Sequence, residues 1–217
     1  MSLPRVERLL AVVAHPDDES FGLGAVLDRF VRGGTEVSVL CFTHGEASTL
    51  HGRPGELADV RTAELAAAAD ILGISATELL GYPDGGLAAV PSDDLTAAVT
   101  EAAKQGQPTH LIAFDVGGVT GHPDHVCATE AALGAAAALS LPVLGWTVPD
   151  AVAAVLNAEF GTAFVGRRDD EIDWTIRVDR GRQQAAIAAH RSQSSDNPVL
   201  RRRLHLLGNV EHLRRLT

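Results

Sequence analysis

Cysteine is almost missing from this chain of 217 residues, which has only Cys41 and Cys127, both in apolar or helical contexts. That excludes a disulfide-stapled scaffold and a cysteine-built metal site, and it suits two thiols kept in a reducing cytosol. Positive charge is also scarce: 18 Lys and Arg stand against 28 Asp and Glu, a formal net charge of −10. Neither nucleic acid nor an anionic membrane is an expected partner for such a balance. No apolar run approaches the ~20 residues of a membrane span, and the start, Met1-Ser2-Leu3-Pro4-Arg5, lacks a signal-peptide pattern. The expected location is therefore cytoplasmic. Lysine occurs once and alanine is abundant, a composition that suits a GC-rich genome. Repeats, low-complexity linkers and composition breaks are lacking as well, so residues 1–217 are expected to form a single domain.

What is present is an ordinary globular balance, 46% apolar and 21% charged, long enough to bury a sizeable core. Apolar runs alternate with Ala-rich helical stretches. Strands are expected over residues 9–14, 36–42, 78–80, 110–114 and 142–148, with an edge strand over 171–178. Helices are expected over 20–32, 60–72, 92–105, 124–138, 150–157 and 179–190, the first closed by Gly33-Gly34. Ser92-Asp93-Asp94 reads as a helix cap. Residues 198–217 are Arg-rich and amphipathic, and read as a surface helix. Strands spaced by crossover helices give a three-layer α/β/α sandwich with a mostly parallel, Rossmann-like sheet. Such sheets keep their sites at the C-terminal strand ends.

Ala14-His15-Pro16-Asp17-Asp18-Glu19 falls at the end of the first strand. Pro16 suits the first turn of a helix, which would set His15 at the junction and the three acids around that turn. Positions three apart share a helical face, so His15 and Asp18 can converge on one ion while Asp17 points elsewhere. The bland alternative is three first-turn acids favoured by the helix dipole. A catalytic zinc needs three protein ligands and an open position, so a third ligand should lie at another strand end. His122-Pro123-Asp124-His125, after the fourth strand, repeats the His-Pro-Asp pattern in such a place.

The pair AHPDDE and GHPDH resembles the LmbE-like, or PIG-L, family of zinc-dependent N-deacetylases. Further likenesses follow in order: Thr43-His44-Gly45-Glu46, Arg61-Thr62-Ala63-Glu64, Pro83-Asp84-Gly85 and His190-Arg191-Ser192-Gln193. The family removes acetyl groups from N-acetylglucosamine-type substrates, which implies a small amino-sugar conjugate as substrate. The resemblance implies His15, Asp18 and His125 as metal ligands, Asp17 as general base and His122 as assistant to the tetrahedral intermediate. It also implies substrate contacts at Arg61 and Asp84. Zn2+ is the expected metal, and a His-Asp-His site also suits Fe2+ or Co2+. Some members carry a Tyr shortly before GHPDH, where this chain has Val119-Thr120.

Other readings compete. Gly22-Leu23-Gly24 after the first strand hints at dinucleotide binding, but Leu27 stands where a third Gly belongs, and carboxylates crowd the pyrophosphate position. An amidase on another conjugate, or a silent metal- or sugar-binding member, would carry the same motifs. Asp124 reads as a holder of His122 or as a helix cap. His44 and His51 could border the site, whereas His110, His205 and His212 read as ordinary surface residues. Gly117 and Gly118 would let their loop approach the metal. The Arg-rich tail reads as a solvated face and leaves a homo-oligomer open.

Overall fold

A computed structural model describes residues 3–49 and 56–217. Seven strands form one sheet in the order β3-β2-β1-β4-β5-β7-β6. The first five, β1 (Arg8–Val13), β2 (Glu36–Thr43), β3 (Ala76–Tyr82), β4 (His110–Phe114) and β5 (Val143–Thr147), run parallel. Strand β1 is the central one of the five parallel strands and is apolar from Leu9 on, as a strand covered on both faces must be. Its side chains alternate: Leu9, Ala11 and Val13 enter one core, Leu10, Val12 and Ala14 the other. That alternation is what a three-layer architecture requires.

One core is closed by α2 (Gly24–Arg32), α3 (Leu57–Leu72), α6 (Asp150–Phe160), α7 (Gly181–Ala189) and, after the single turn α8 (Arg191–Ser194), α9 (Pro198–Leu207). The other is closed by α4 (Ser92–Gly106) and α5 (Pro123–Leu139). Helix α5 buries Ala128, Ala131, Ala132, Ala135 and Ala136, so its backbone lies close to the sheet. Helix α4 starts without a side-chain cap; Pro91, not Ser92, holds the N-cap position.

Two expectations about the fold need correcting. The helix expected over 20–32 is split into a single turn, α1 (Asp18–Phe21), and α2. The tail is not one surface helix. After α9 the chain forms β7 (Val210–Arg215), which pairs antiparallel with β5 on one side and with β6 (Trp174–Arg177) on the other. Glu211 explains why a charged segment tolerates this position. It is buried, ion-paired with Arg180 at 2.5 Å, and accepts a hydrogen bond from Trp146 Nε1 at 2.8 Å. Burying the pair is acceptable because both charges are matched and hydrogen-bonded.

Candidate metal centre and cleft

All the chemistry gathers at the C-terminal ends of β1 and β4. Strand β1 ends at Val13, and the amides of Ala14 and His15 donate to Asp18 Oδ2 at 3.2 and 2.9 Å. That folds Asp18 back over the strand end. Pro16 lies in the turn before α1, not inside a helix, so the first turn starts two residues later than the sequence suggested. Asp17 takes up the difference in a strained backbone, φ 141° and ψ −24°. A non-glycine residue here costs on the order of 1–3 kcal/mol and persists only where its surroundings enforce it.

The enforcing groups are visible. Glu19, fully buried, accepts the Asp17 amide through Oε2 at 2.9 Å, and its Oε1 lies 2.7 Å from His190 Nε2. Burial pulls the His190 imidazole down, but Glu19, with Asp17 and Glu64 behind it, holds it above its ordinary range. On the other side Arg61 donates to the carbonyls of Pro16 (2.6 Å) and Gly45 (2.8 Å) and pairs with Asp17 Oδ2 at 3.1 Å. Gly45, at φ +67°, makes room for this: a Cβ there would come within 2.3 Å of the guanidinium.

The second cluster follows its expected pattern more closely. Pro123 opens α5, and His122 is the N-cap, its Nδ1 accepting the amide of Asp124 at 3.2 Å. His125, one turn in, directs Nε2 toward the first cluster. His15 Nδ1 and His125 Nε2 are 3.2 Å apart, Asp18 Oδ1 is 3.1 Å from His125 Nε2, and Asp18 Oδ2 is 3.5 Å from His15 Nδ1. Metal bonds of about 2.0–2.2 Å at tetrahedral angles put ligand atoms roughly 3.3–3.5 Å apart. The three side chains converge at separations close to those of metal ligands, Asp18 meeting His125 through Oδ1 and His15 through Oδ2, and His122 offers a further ring nitrogen within 4.8 Å of those of His15 and His125.

The outer nitrogens are also provided for. His125 Nδ1 lies 2.6 Å from Thr120 Oγ1. His15 Nε2 faces Asp84 Oδ1 at 3.0 Å and Asp124 Oδ2 at 3.5 Å, though neither is aligned as a hydrogen bond. A histidine that ligates through one nitrogen characteristically directs the other to an oxygen acceptor, which fixes its tautomer. Burial lowers the His15 imidazole, and Asp124, Asp18 and Asp84 together lift it well above its ordinary range. Burial opposes ionisation of Asp18, yet His125 and His15 hold it well below the carboxylate range. Donors charged this way match a divalent cation, whose charge takes the place of the protons.

Several residues have jobs other than those expected. Asp124 neither caps its helix nor holds His122; it accepts the amides of Gly85 (2.8 Å) and Leu87 (3.2 Å), tying that turn to the site. Asp84 Oδ2 accepts the Ala47 amide at 2.9 Å, so both its oxygens serve the chain itself. Arg61 and Asp84 line the cleft as well as making these contacts, and Arg61 Nε is buried without a partner. His44 contacts Thr62 at 3.1 Å outside the cleft wall, and His51 lies outside the described residues. Gln193 borders the cleft, its Oε1 accepting from Ser48 at 2.7 Å. Gly118, at φ +71°, approaches His125 as expected; a Cβ there would meet His125 Cβ at 2.9 Å.

Sequence reasoning missed Thr120, the Glu19–His190 pair and the apolar side of the cleft. Phe21, Phe114, Phe164, Val199 and Leu200 line a cavity of about 780 Å³ that opens on the His-Asp-His triangle. Phe114 stands edge-on to His125, centroids 4.8 Å apart.

Residues 10–136 match the family described as PIG-L, GlcNAc-PI de-N-acetylase. The chain belongs to the PIG-L family. Among its relatives is the 1D-myo-inositol 2-acetamido-2-deoxy-alpha-D-glucopyranoside deacetylase of Nakamurella multipartita, 30% identical, covering 86% of this chain and 79% of that protein. The enzyme of the same name in Mycolicibacterium vanbaalenii is 31% identical, with 88% and 82% covered. The match to the Kineococcus radiotolerans protein of that name, at 34% identity, spans 59% of this chain and only 44% of that one. Among solved structures, the conserved protein TT1542 from Thermus thermophilus superposes with a TM-score of 0.73 at 23% identity, covering 98% and 95% of the two chains. The A40926 pseudoaglycone deacetylase Dbv21 gives 0.73 at 23%, covering 96% of each. GalB, a 4-carboxy-2-hydroxymuconate hydratase, gives 0.71 at 17%, covering 97% and 96%. The PIG-L fold therefore carries more than one chemistry, and function has to be argued from the site.

Proposed function

We propose that this PIG-L member, acting as one domain over residues 1–217, is a zinc-dependent hydrolase. On this reading it removes an acetyl group from an N-acetylglucosamine-type amino sugar or conjugate. The observation that carries the reading is the cluster of His15, Asp18 and His125 donors in one cleft with the strained Asp17. A bound zinc ion would polarise the acyl oxygen and make water more acidic, toward a pKa of ~7.

Asp17 is the base in this reading. Burial raises its carboxyl group to about 6, against the pull of Arg61, and Asp18 adds to the rise. It is thus ionised near neutral pH, yet basic enough to take the proton of the attacking water. The same carboxylic acid then protonates the departing amine as the C–N bond breaks. His122 has the complementary role. Its Nδ1 is used as a hydrogen-bond acceptor, so the proton of the neutral ring sits on Nε2. Burial, reinforced by the charges of His15 and His125, lowers this imidazole and keeps it neutral. A neutral Nε2–H donates well to a developing oxyanion and poorly as an acid, which favours oxyanion stabilisation.

The test is acetate release from a panel of N-acetylglucosamine conjugates by the zinc-loaded protein. Release should be abolished by Asp17→Asn with bound zinc unchanged. Full activity in that variant would sink the assignment of the base, and no acetate from any conjugate would sink the reaction.

A further inference from the structure

One side chain in the cleft wall is unaccounted for by hydrolysis. Helix α9 contributes Val199, Leu200 and Arg203 to the wall, next to Phe21. Arg203 is only 5% exposed, and its guanidinium carbon sits 5.1 Å from the centre of the Trp146 ring. Its one hydrogen bond among the described residues runs from Nη2 to the Phe21 carbonyl. Nε is buried with no partner. A guanidinium has five N–H donors in a planar fork, so most of this one's capacity is unspent.

Nor is its charge balanced at contact distance. Glu211 is committed to Arg180, Asp17 to Arg61, and Asp18 to His15 and His125. Among the described residues no carboxylate lies within 4 Å of Arg203 in an ion pair, although Arg180 pairs at 2.5 Å nearby. Burial pushes Arg203 down to about 10, still cationic at neutral pH. Burying an unmatched cation is costly, and a cleft wall is where such a cost has a use. The apolar neighbours strengthen any ion pair formed there by excluding water. Anchoring the Phe21 carbonyl and stacking on Trp146 do not require a place on the cleft, and among the described residues Nη1 makes no hydrogen bond.

We propose that Arg203 is a specificity-determining residue that receives a carboxylate or phosphate carried by the substrate, away from the scissile amide. A planar fork suits either anion, and its partial anchoring on Phe21 and Trp146 means little freedom is lost on binding. The inference rests on the amide-hydrolase reading for the word substrate, but the anion site itself does not depend on turnover.

The test is calorimetric titration of the zinc-loaded protein with N-acetylglucosamine, its 6-phosphate and N-acetylmuramic acid. At least one anionic sugar should bind about 10- to 100-fold more tightly than the neutral one, as a charge-assisted hydrogen bond provides. Arg203→Met should bring that ratio to about one, and Arg203→Lys should lower it partway, because an ammonium cannot reproduce the fork. A ratio of one in the unmodified protein overturns the proposal, as does a ratio that survives Arg203→Met. So does an equal loss for neutral and anionic sugars, which would mark a structural role. If Arg203→Met fails to fold, Arg203→Lys decides, and an undiminished ratio there counts against the proposal. Anion-selective binding without acetate release would sustain the site while refuting the hydrolase.

Discussion

Asp17 concentrates three pressures in one residue: a strained backbone, a buried carboxylate and a partner cation in Arg61. Its carboxyl group is poised at about 6, and Arg61 is what keeps it from rising further. Activity that needs ionised Asp17 should therefore climb through about pH 6 and level off above it. Arg61→Met removes the opposing charge, so the acidic limb of the kcat/KM profile should move to higher pH; an unmoved limb would detach Arg61 from the base. Glu19 acts on the same residue through its backbone. Glu19→Ala frees the Asp17 amide and leaves His190 without its anion, and a displaced base should cost about 10- to 100-fold in kcat. KM should change little, and Glu19→Gln should restore part of the rate. Those outcomes would mark Arg61 and Glu19 as positioning residues, a role that spacing alone does not distinguish from substrate contacts or first-turn acids.

At the scale of elements, β1, β4 and β5 were legible because they are largely apolar runs ended by Gly, Pro or polar turns, whereas the polar, exposed β3 showed only its Leu79-Leu80 centre. The two strand-end clusters were legible for the same reason, since a His-Pro-Asp after a buried strand has few bland explanations. Strand β7 was not legible. Val210-Glu211-His212-Leu213-Arg214-Arg215 does alternate, but its inward members include a carboxylate, and the arginines resemble a solvated helix face. Tertiary partners decide the matter. Arg180 neutralises Glu211, and Arg214 joins Arg167 around the buried Asp115 at the end of β4. Glu211→Ala should destabilise the protein by about 3–5 kcal/mol in urea denaturation, because it leaves the buried Arg180 at the start of α7 without its anion. A loss below about 1 kcal/mol would mean that water reaches Arg180 easily. Asp124 was misread for a related cause: its acceptors serve the amides of Gly85 and Leu87, 39 and 37 positions away.

For the whole molecule, the proposed metal centre brings together two strand ends that lie 110 positions apart in sequence, His15 and His125. A cation bound there clamps β1, α1 and α5 together. Removing it with a chelator should lower the midpoint of thermal unfolding, and adding zinc back should restore it. At a hundredfold excess over Kd the gain should be about 2.7 kcal/mol. His125→Ala should abolish that response, and a zinc-dependent rise that persists would place the ion elsewhere. Among the described residues no helix is long and apolar enough to cross a membrane.

The place of β7 also bears on how the chain is made. A ribosome delivers β6 before β7, yet among the described residues β6 pairs in the sheet with β7 alone. Until residues 210–215 emerge, β5 presents an open edge and β6 has nothing to join. An exposed apolar edge is a template for pairing with other chains. During synthesis the protein therefore depends on holding that edge apart from its neighbours, and the last strand to appear is the one that makes it safe.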